Sequence, residues 1–153
     1  MILRLVLGAL LTAMALGQLA SFTTMPSILT TYGLTSGAAS TVLAVVLIAA
    51  EGMAGTWFLA RPRSKAVVPV WMYTTVSLVW AALAVQAYAR GLTVTNCGCF
   101  GTYLAQPLRW FVLIEDALML LYAWLLLRAA RRRPHAPADP TPDRQTLGTT
   151  ASP

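Results

Sequence analysis

Charged residues are scarce in this 153-residue chain. They make up 10% of it, against 58% hydrophobic, where a soluble domain carries about 25% charged residues. So few charges cannot cover a soluble domain, which excludes that class. Histidine occurs once, at His135, and cysteine twice, at Cys97 and Cys99. A closed zinc site takes about four ligands, and the sequence offers no such set. A net charge of +6 would suit nucleic acid in a soluble protein. Here the basic residues gather at segment ends, in "RPRSK" (61–65) and "RAARRR" (128–133), as cytoplasmic anchors do. No nucleic-acid partner is expected.

What the chain has instead is hydrocarbon in long runs. About 20 apolar residues span the roughly 30 Å core of a bilayer, and four such runs occur, at about 3–22, 37–60, 66–89 and 107–130. The reading is an all-α membrane protein, a four-transmembrane-helix bundle over residues 1–130 with the lipid bilayer as its surroundings. The first run also resembles a signal peptide, with Arg4 ahead of an apolar stretch and small residues near Ala20. A retained helix is preferred, because Ala9, Ala13, Gly17 and Ser21 recur every four residues and form a small-residue stripe suited to helix contact in a membrane. Residues 23–36 read as a polar, uncharged loop punctuated by Pro26 and Gly33. Pro62 breaks the second segment, and Pro107 suits the first turn of the fourth. Residues 131–153 hold five prolines and almost no bulky apolar residue, the composition of a disordered tail.

Orientation follows from the arginines and lysine. With the N-terminus in the cytoplasm, the inner side receives Arg4, Arg61, Arg63, Lys65, Arg128, Arg131, Arg132, Arg133 and Arg144, and the outer side only Arg90 and Arg109. This bias places both termini inside the plasma membrane and residues 90–107 outside. Tyr88, Tyr103 and Trp110 then mark the outer interface, and Trp57, Trp71 and Trp124 the inner one.

Both cysteines lie in that outer loop, within "TNCGCFGTYLAQP" (95–107). An outward loop meets an oxidising compartment, where disulfides persist. Alpha carbons two residues apart lie roughly 5.5–7 Å from each other, overlapping the roughly 4.4–6.8 Å that a disulfide tolerates. Gly98 relieves crowding in so small a ring, and Gly101 can adopt unusual dihedrals. A staple closing so short a loop adds little stability, and a strained bridge is labile and oxidising. Cys97 and Cys99 therefore read as the catalytic pair of thiol–disulfide exchange. The start of the fourth helix, Arg90 and Arg109 are candidates to favour a thiolate. Two thiolates could also hold a soft ion such as Cu(I) or mercury, or merely shape the loop.

Three acids fall inside the runs: Glu51, Glu115 and Asp116. Such residues face a bundle interior, a partner or water. Asp116 and Arg109 are seven apart and would share a helix face. Glu51 and Asp116 are candidates to support the thiols. Gln18 and Gln86 should lie near the outer ends of the first and third spans, lining one cavity or bonded to each other.

"RGLTVTNCGCFG" (90–101) after a third span, "EG" (Glu51, Gly52) within the second and an acid in the fourth together resemble the MauE family of methylamine-utilisation membrane proteins, within the wider DoxX-like redox-associated group. The resemblance covers about residues 3–130, and "CGCFG" is its most specific element. It implies a four-helix bundle supporting disulfide chemistry outside the plasma membrane, with a disulfide-rich methylamine dehydrogenase subunit as the family's client. Cys97 and Cys99 match the family's cysteine pair and Glu51 its acid. Family members often carry a lysine near the end of the first span; this chain has Gln18 there, so that lysine's role does not carry over.

The leading reading is a thiol–disulfide component, a thiol–disulfide oxidoreductase in enzymatic terms, that exchanges electrons with a thioredoxin-like or disulfide-containing extracytoplasmic client. The four-helix plan brings a quinone cofactor to mind by analogy with quinone-linked disulfide generators, but those use two cysteine pairs. The rival classes are a soft-metal carrier and a non-catalytic assembly factor.

Overall fold

The computed structural model describes residues 1–64 and 66–131. Its elements are α1 (Ile2–Ala20), α2 (Met25–Thr30), α3 (Ala38–Ala60), α4 (Val68–Ala89) and α5 (Trp110–Arg131), with no strand among the described residues. Four of these helices are 19 to 23 residues long and apolar enough to cross a membrane. At 1.5 Å per residue they reach about 28–35 Å, the thickness of a bilayer core. The protein is a multi-pass, all-helical membrane protein. The tail expected at 131–153 lies outside the described residues apart from Arg131, as do Lys65, Arg132, Arg133, Arg144 and His135.

Two boundaries differ from the sequence reading. Residues 23–36 are not all loop, because α2 forms within them. Met25 and Leu29, four apart, are both fully buried, and Pro26 stands in the first turn, where it forfeits no helical bond. The fourth span starts at Trp110 rather than Pro107. The N–H of Leu108 donates to the Val94 carbonyl at 2.8 Å, so the preceding backbone is committed to the cysteine loop. Arg109 consequently lies outside α5, is exposed, and does not share a helix face with Asp116.

The helices pack in the order α1, α3, α4, α5, with α2 against α3. The α1–α3 crossing is close enough to need glycine. A Cβ at Gly8 would lie 3.0 Å from the Gly55 carbonyl oxygen, and one at Gly55 would lie 2.6 Å from Thr12 Oγ1. Small residues let membrane helices approach in this way. The stripe is offset from the expected one: Gly8, Leu11, Ala15 and Gln18 are buried, whereas Ala9 and Ala13 face outward. Of the expected four, Gly17 and Ser21 do make contacts, with the cysteine loop rather than a helix.

Two apolar clusters fill the bundle. One, at the Arg4 end, joins Leu7, Leu11, Ala54, Phe58, Val70, Tyr73, Ala123 and Leu126 from all four long helices. The other joins α2, α3 and α4 through residues such as Leu29, Leu47, Trp80 and Leu83, and it reaches Val94 of the loop. Tyr88, Tyr103 and Trp110 are exposed at the loop end, and Trp57, Trp71 and Trp124 at the opposite end, the arrangement of two interfacial belts.

Candidate functional site

Between the two clusters the interior turns polar. Glu51 of α3 and Gln18 of α1 are both 0% exposed. Gln18 Nε2 donates to Glu51 Oε2 at 2.8 Å, and Trp80 Nε1 of α4 donates to Glu51 Oε1 at 2.6 Å. Gln18 Nε2 also lies 3.1 Å from the Cys99 carbonyl oxygen, to which it donates. Three spans and the loop are thus tied at one carboxyl.

The loop above is held by its own backbone. Cys97 N–H donates to the Gln106 carbonyl at 2.7 Å, and Tyr32 Oη donates to the Cys97 carbonyl at 2.8 Å. Asn96 spans the motif, its Oδ1 accepting from Gly98 N–H and its Nδ2 donating to the Gly101 carbonyl. Ser21 Oγ accepts from Thr102 N–H at 3.0 Å. Gly98 and Gly101 both have positive φ, 84° and 64°, which glycine alone adopts readily. Space also demands glycine: a Cβ at Gly101 would lie 2.5 Å from the Gly17 carbonyl oxygen, and one at Gly98 3.0 Å from Ile28 Cγ2.

Both cysteines are free thiols, with sulfurs 3.2 Å apart. Cys97 is 1% exposed, whereas Cys99 is half-buried. The Cys99 thiol beside it holds Cys97 below the ordinary thiol range, against burial and the Glu115 and Asp116 charges. Cys99 is pushed well above that range by its bond to Cys97 and by burial, with the charges of Cys97, Asp116 and Glu51 adding to the effect. One proton is therefore shared unequally, and Cys97 is the better thiolate. Burial raises the Tyr32 phenol, which keeps it a donor to the Cys97 carbonyl.

The other sequence candidates separate into two groups. Asp116 acts on both thiols, and its buried Oδ2 has no hydrogen-bond partner. Glu115 is exposed but accepts from Gln106 Nε2 at 3.3 Å, and Gln106 is the residue whose carbonyl holds Cys97. Arg90 sits instead on the α2–α3 connection, bonding the Gly33 carbonyl and Gln86 Oε1. Gln86 Nε2 donates to the Tyr32 carbonyl and Gln18 Nε2 to Glu51 and the Cys99 carbonyl, so the two glutamines are not bonded to each other. Tyr32 and Trp80, which the sequence reading did not single out, contribute directly. Among the described residues no group of three or more His, Cys, Asp and Glu could hold a metal ion, so a soft ion would rest on the two sulfurs alone.

A four-span bundle that docks a vicinal dithiol loop over a buried carboxyl defines a class of membrane protein with a thiol site at one end. The family model described as methylamine utilisation protein MauE matches residues 1–129, and the chain belongs to that family. A curated relative, the methylamine utilization protein MauE of Paracoccus denitrificans, is 28% identical over 121 residues, 79% of this chain. The chain spans 64% of that relative's length. No solved structure matches.

Proposed function

We propose that this chain is a plasma-membrane thiol–disulfide exchange protein, with both termini cytoplasmic and the Cys97–Cys99 loop outward. It supports disulfide formation in an extracytoplasmic client, which the family's methylamine-utilisation description suggests is of the methylamine dehydrogenase type. One observation carries the reading: two sulfurs 3.2 Å apart, with opposite shifts in acidity, on a loop fixed by backbone hydrogen bonds.

Accessibility assigns the roles. In the bridged form a client thiolate attacks Cys99 Sγ, because Cys97 is buried. A Cys99–client disulfide forms, the Cys97–Cys99 bond breaks, and the electron pair leaves on Cys97. A second client thiolate then attacks the client sulfur of the mixed disulfide, and Cys99 leaves and takes up a proton. The client is oxidised by two electrons and the pair is reduced. A disulfide protein or a quinone would accept those electrons to restore the bridge.

The test is trapping in native membranes. Cys97→Ser cannot form the bridge and keeps Cys99 as a lone thiol, which enters the exchange in the reverse direction. Its thiolate attacks a disulfide of oxidised client, and one client sulfur leaves as thiolate. Cys97 is absent to resolve the mixed disulfide, so non-reducing electrophoresis and mass spectrometry should find the variant linked to a client through Cys99. Cys99→Ser should trap nothing. Normal function of the double serine variant would refute the proposal. So would loss of Cu(I) or mercury binding in both single variants with no trapping in either, which is the behaviour of a metal carrier.

A further inference from the structure

Glu51 bears on the dithiol motif from two sides. Through Gln18 it reaches the Cys99 carbonyl, since one amide nitrogen serves both the carboxyl and that carbonyl. Through Trp80 it reaches Gly98, because a Cβ there would lie 3.5 Å from Trp80 Cη2. Both donors are neutral, and both carboxyl oxygens accept, as suits a carboxylate.

Gln18 Oε1 is the unusual atom: it is buried and has no partner. In hydrocarbon an unsatisfied polar atom is costly, so its presence calls for a second arrangement that uses it. Protonating Glu51 supplies one. A neutral carboxyl needs an acceptor for its O–H, and turning the Gln18 amide over brings Oε1 to face it. The same rotation withdraws the donor from the Cys99 carbonyl and sets an oxygen against it. The hold on Cys99 therefore exists in one charge state of Glu51 and is lost in the other.

We propose that Glu51 is a positioning residue for Cys97–Cys99, which, through the Gln18 amide, couples one proton to the docking of Cys99. The proposal rests on the reading of the pair as a redox centre, and it makes exchange sensitive to a proton held within the bilayer. Other titratable groups surround this level. The loop presents Cys97 and Cys99, α5 presents Asp116 and Glu115, the α2–α3 connection presents Tyr32, and α4 carries Tyr73 two turns below Trp80. From α1, Gln18 faces the carboxyl, while Arg4 lies at the far end against Phe58.

Alkylation of Cys99 by iodoacetamide, in full-length Cys97→Ser protein in nanodiscs, tests this without any redox partner. Its rate should show two inflections with pH: the rise of the thiolate, and a step of about fivefold at the Glu51 transition, the effect of one hydrogen bond of about 1 kcal/mol. Glu51→Gln and Gln18→Met should each abolish the step and leave the thiolate rise. Gln18→Met leaves the carboxyl in place and decides the matter if Glu51→Gln does not fold. Asp116→Asn should keep the step. A single inflection in the parent, a step that survives Gln18→Met, or one that vanishes in Asp116→Asn would overturn the proposal. A client trapped on Cys99 without a step would refute this proposal alone. A step without any trapped client would refute the exchange reading alone.

Discussion

Gly101→Ala should expose Cys97 to reagents without altering either sulfur. Gly101 holds φ +64°, where an L-residue costs about 1–2 kcal/mol. Its new Cβ would also stand 2.5 Å from both the Gly17 carbonyl oxygen and Ser21 Oγ. Relieving such an overlap costs about 1–3 kcal/mol. Both penalties fall on the docked loop and vanish when it lifts from α1. The sum, about 2–5 kcal/mol, raises the opening equilibrium about 30- to 4,000-fold at 1.4 kcal/mol per tenfold. Because Cys97 is 1% exposed, it reacts through opening, and iodoacetamide labelling in a Cys99→Ser background should accelerate by that factor. Gly91→Ala is the matched control. Gly91 has nearly the same φ, +66°, but a Cβ there meets nothing within 4 Å. It should show only the dihedral penalty, so Gly101→Ala should label at least fivefold faster. Equal rates in the two variants would show that the contact with α1 does not hold the loop closed, and an unchanged Gly101→Ala rate would refute docking altogether.

Two further outcomes follow from the same site. Removing the Cys99 thiol removes the largest influence lowering Cys97, so Cys99→Ala should move the pH midpoint of Cys97 alkylation upward; a midpoint that stays or falls would mean that the neighbouring sulfur does not set Cys97's acidity. With the loop outward, a membrane-impermeant maleimide applied to intact, reduced spheroplasts should label Cys99, and labelling only after lysis would reverse the orientation.

The spans were legible because they depend on a property that sums along the chain. Twenty apolar residues read as a membrane helix whatever their order, and α1, α3, α4 and α5 fall within a few residues of the expected runs. Contacts between helices depend on rotation, which composition does not carry. The small-residue stripe read from the sequence lies about 100° from the true one on α1, since Gly8 and Ala9 are both small but only Gly8 meets Gly55. The Cys97–Cys99 pair was legible because two rare residues stood together, and Glu51 because an acid in hydrocarbon is conspicuous. Tyr32 and Trp80 were not, because aromatic side chains are ordinary in membrane helices and at their ends. Only the fold shows that Tyr32 Oη and Trp80 Nε1 end at Cys97 and Glu51. The arginines misled for a related reason. Arg90 and Arg109 flank the motif in sequence, but one closes α4 over Gly33 and the other is exposed ahead of α5.

The placement of polarity within the bundle carries the remaining argument. At the Arg4 end this chain packs its four spans through aliphatic and aromatic residues, with one buried phenol among them, Tyr73, whose hydroxyl donates to the Met119 carbonyl. At the level of Glu51 it instead buries a carboxyl, an amide and an indole N–H. Replacing such a set by apolar residues of equal volume is often neutral or stabilising, so stability alone does not account for it. What the set provides is direction: Gln18 fixes the Cys99 carbonyl and Trp80 supports Gly98. With Tyr32 and Gln106 holding Cys97 from the other side, the two sulfurs are kept in register by groups drawn from α1, α3, α4 and the α2–α3 and α4–α5 connections. A loop needed only to join α4 to α5 would not require that many anchors, and the anchors converge on the three residues between Asn96 and Phe100.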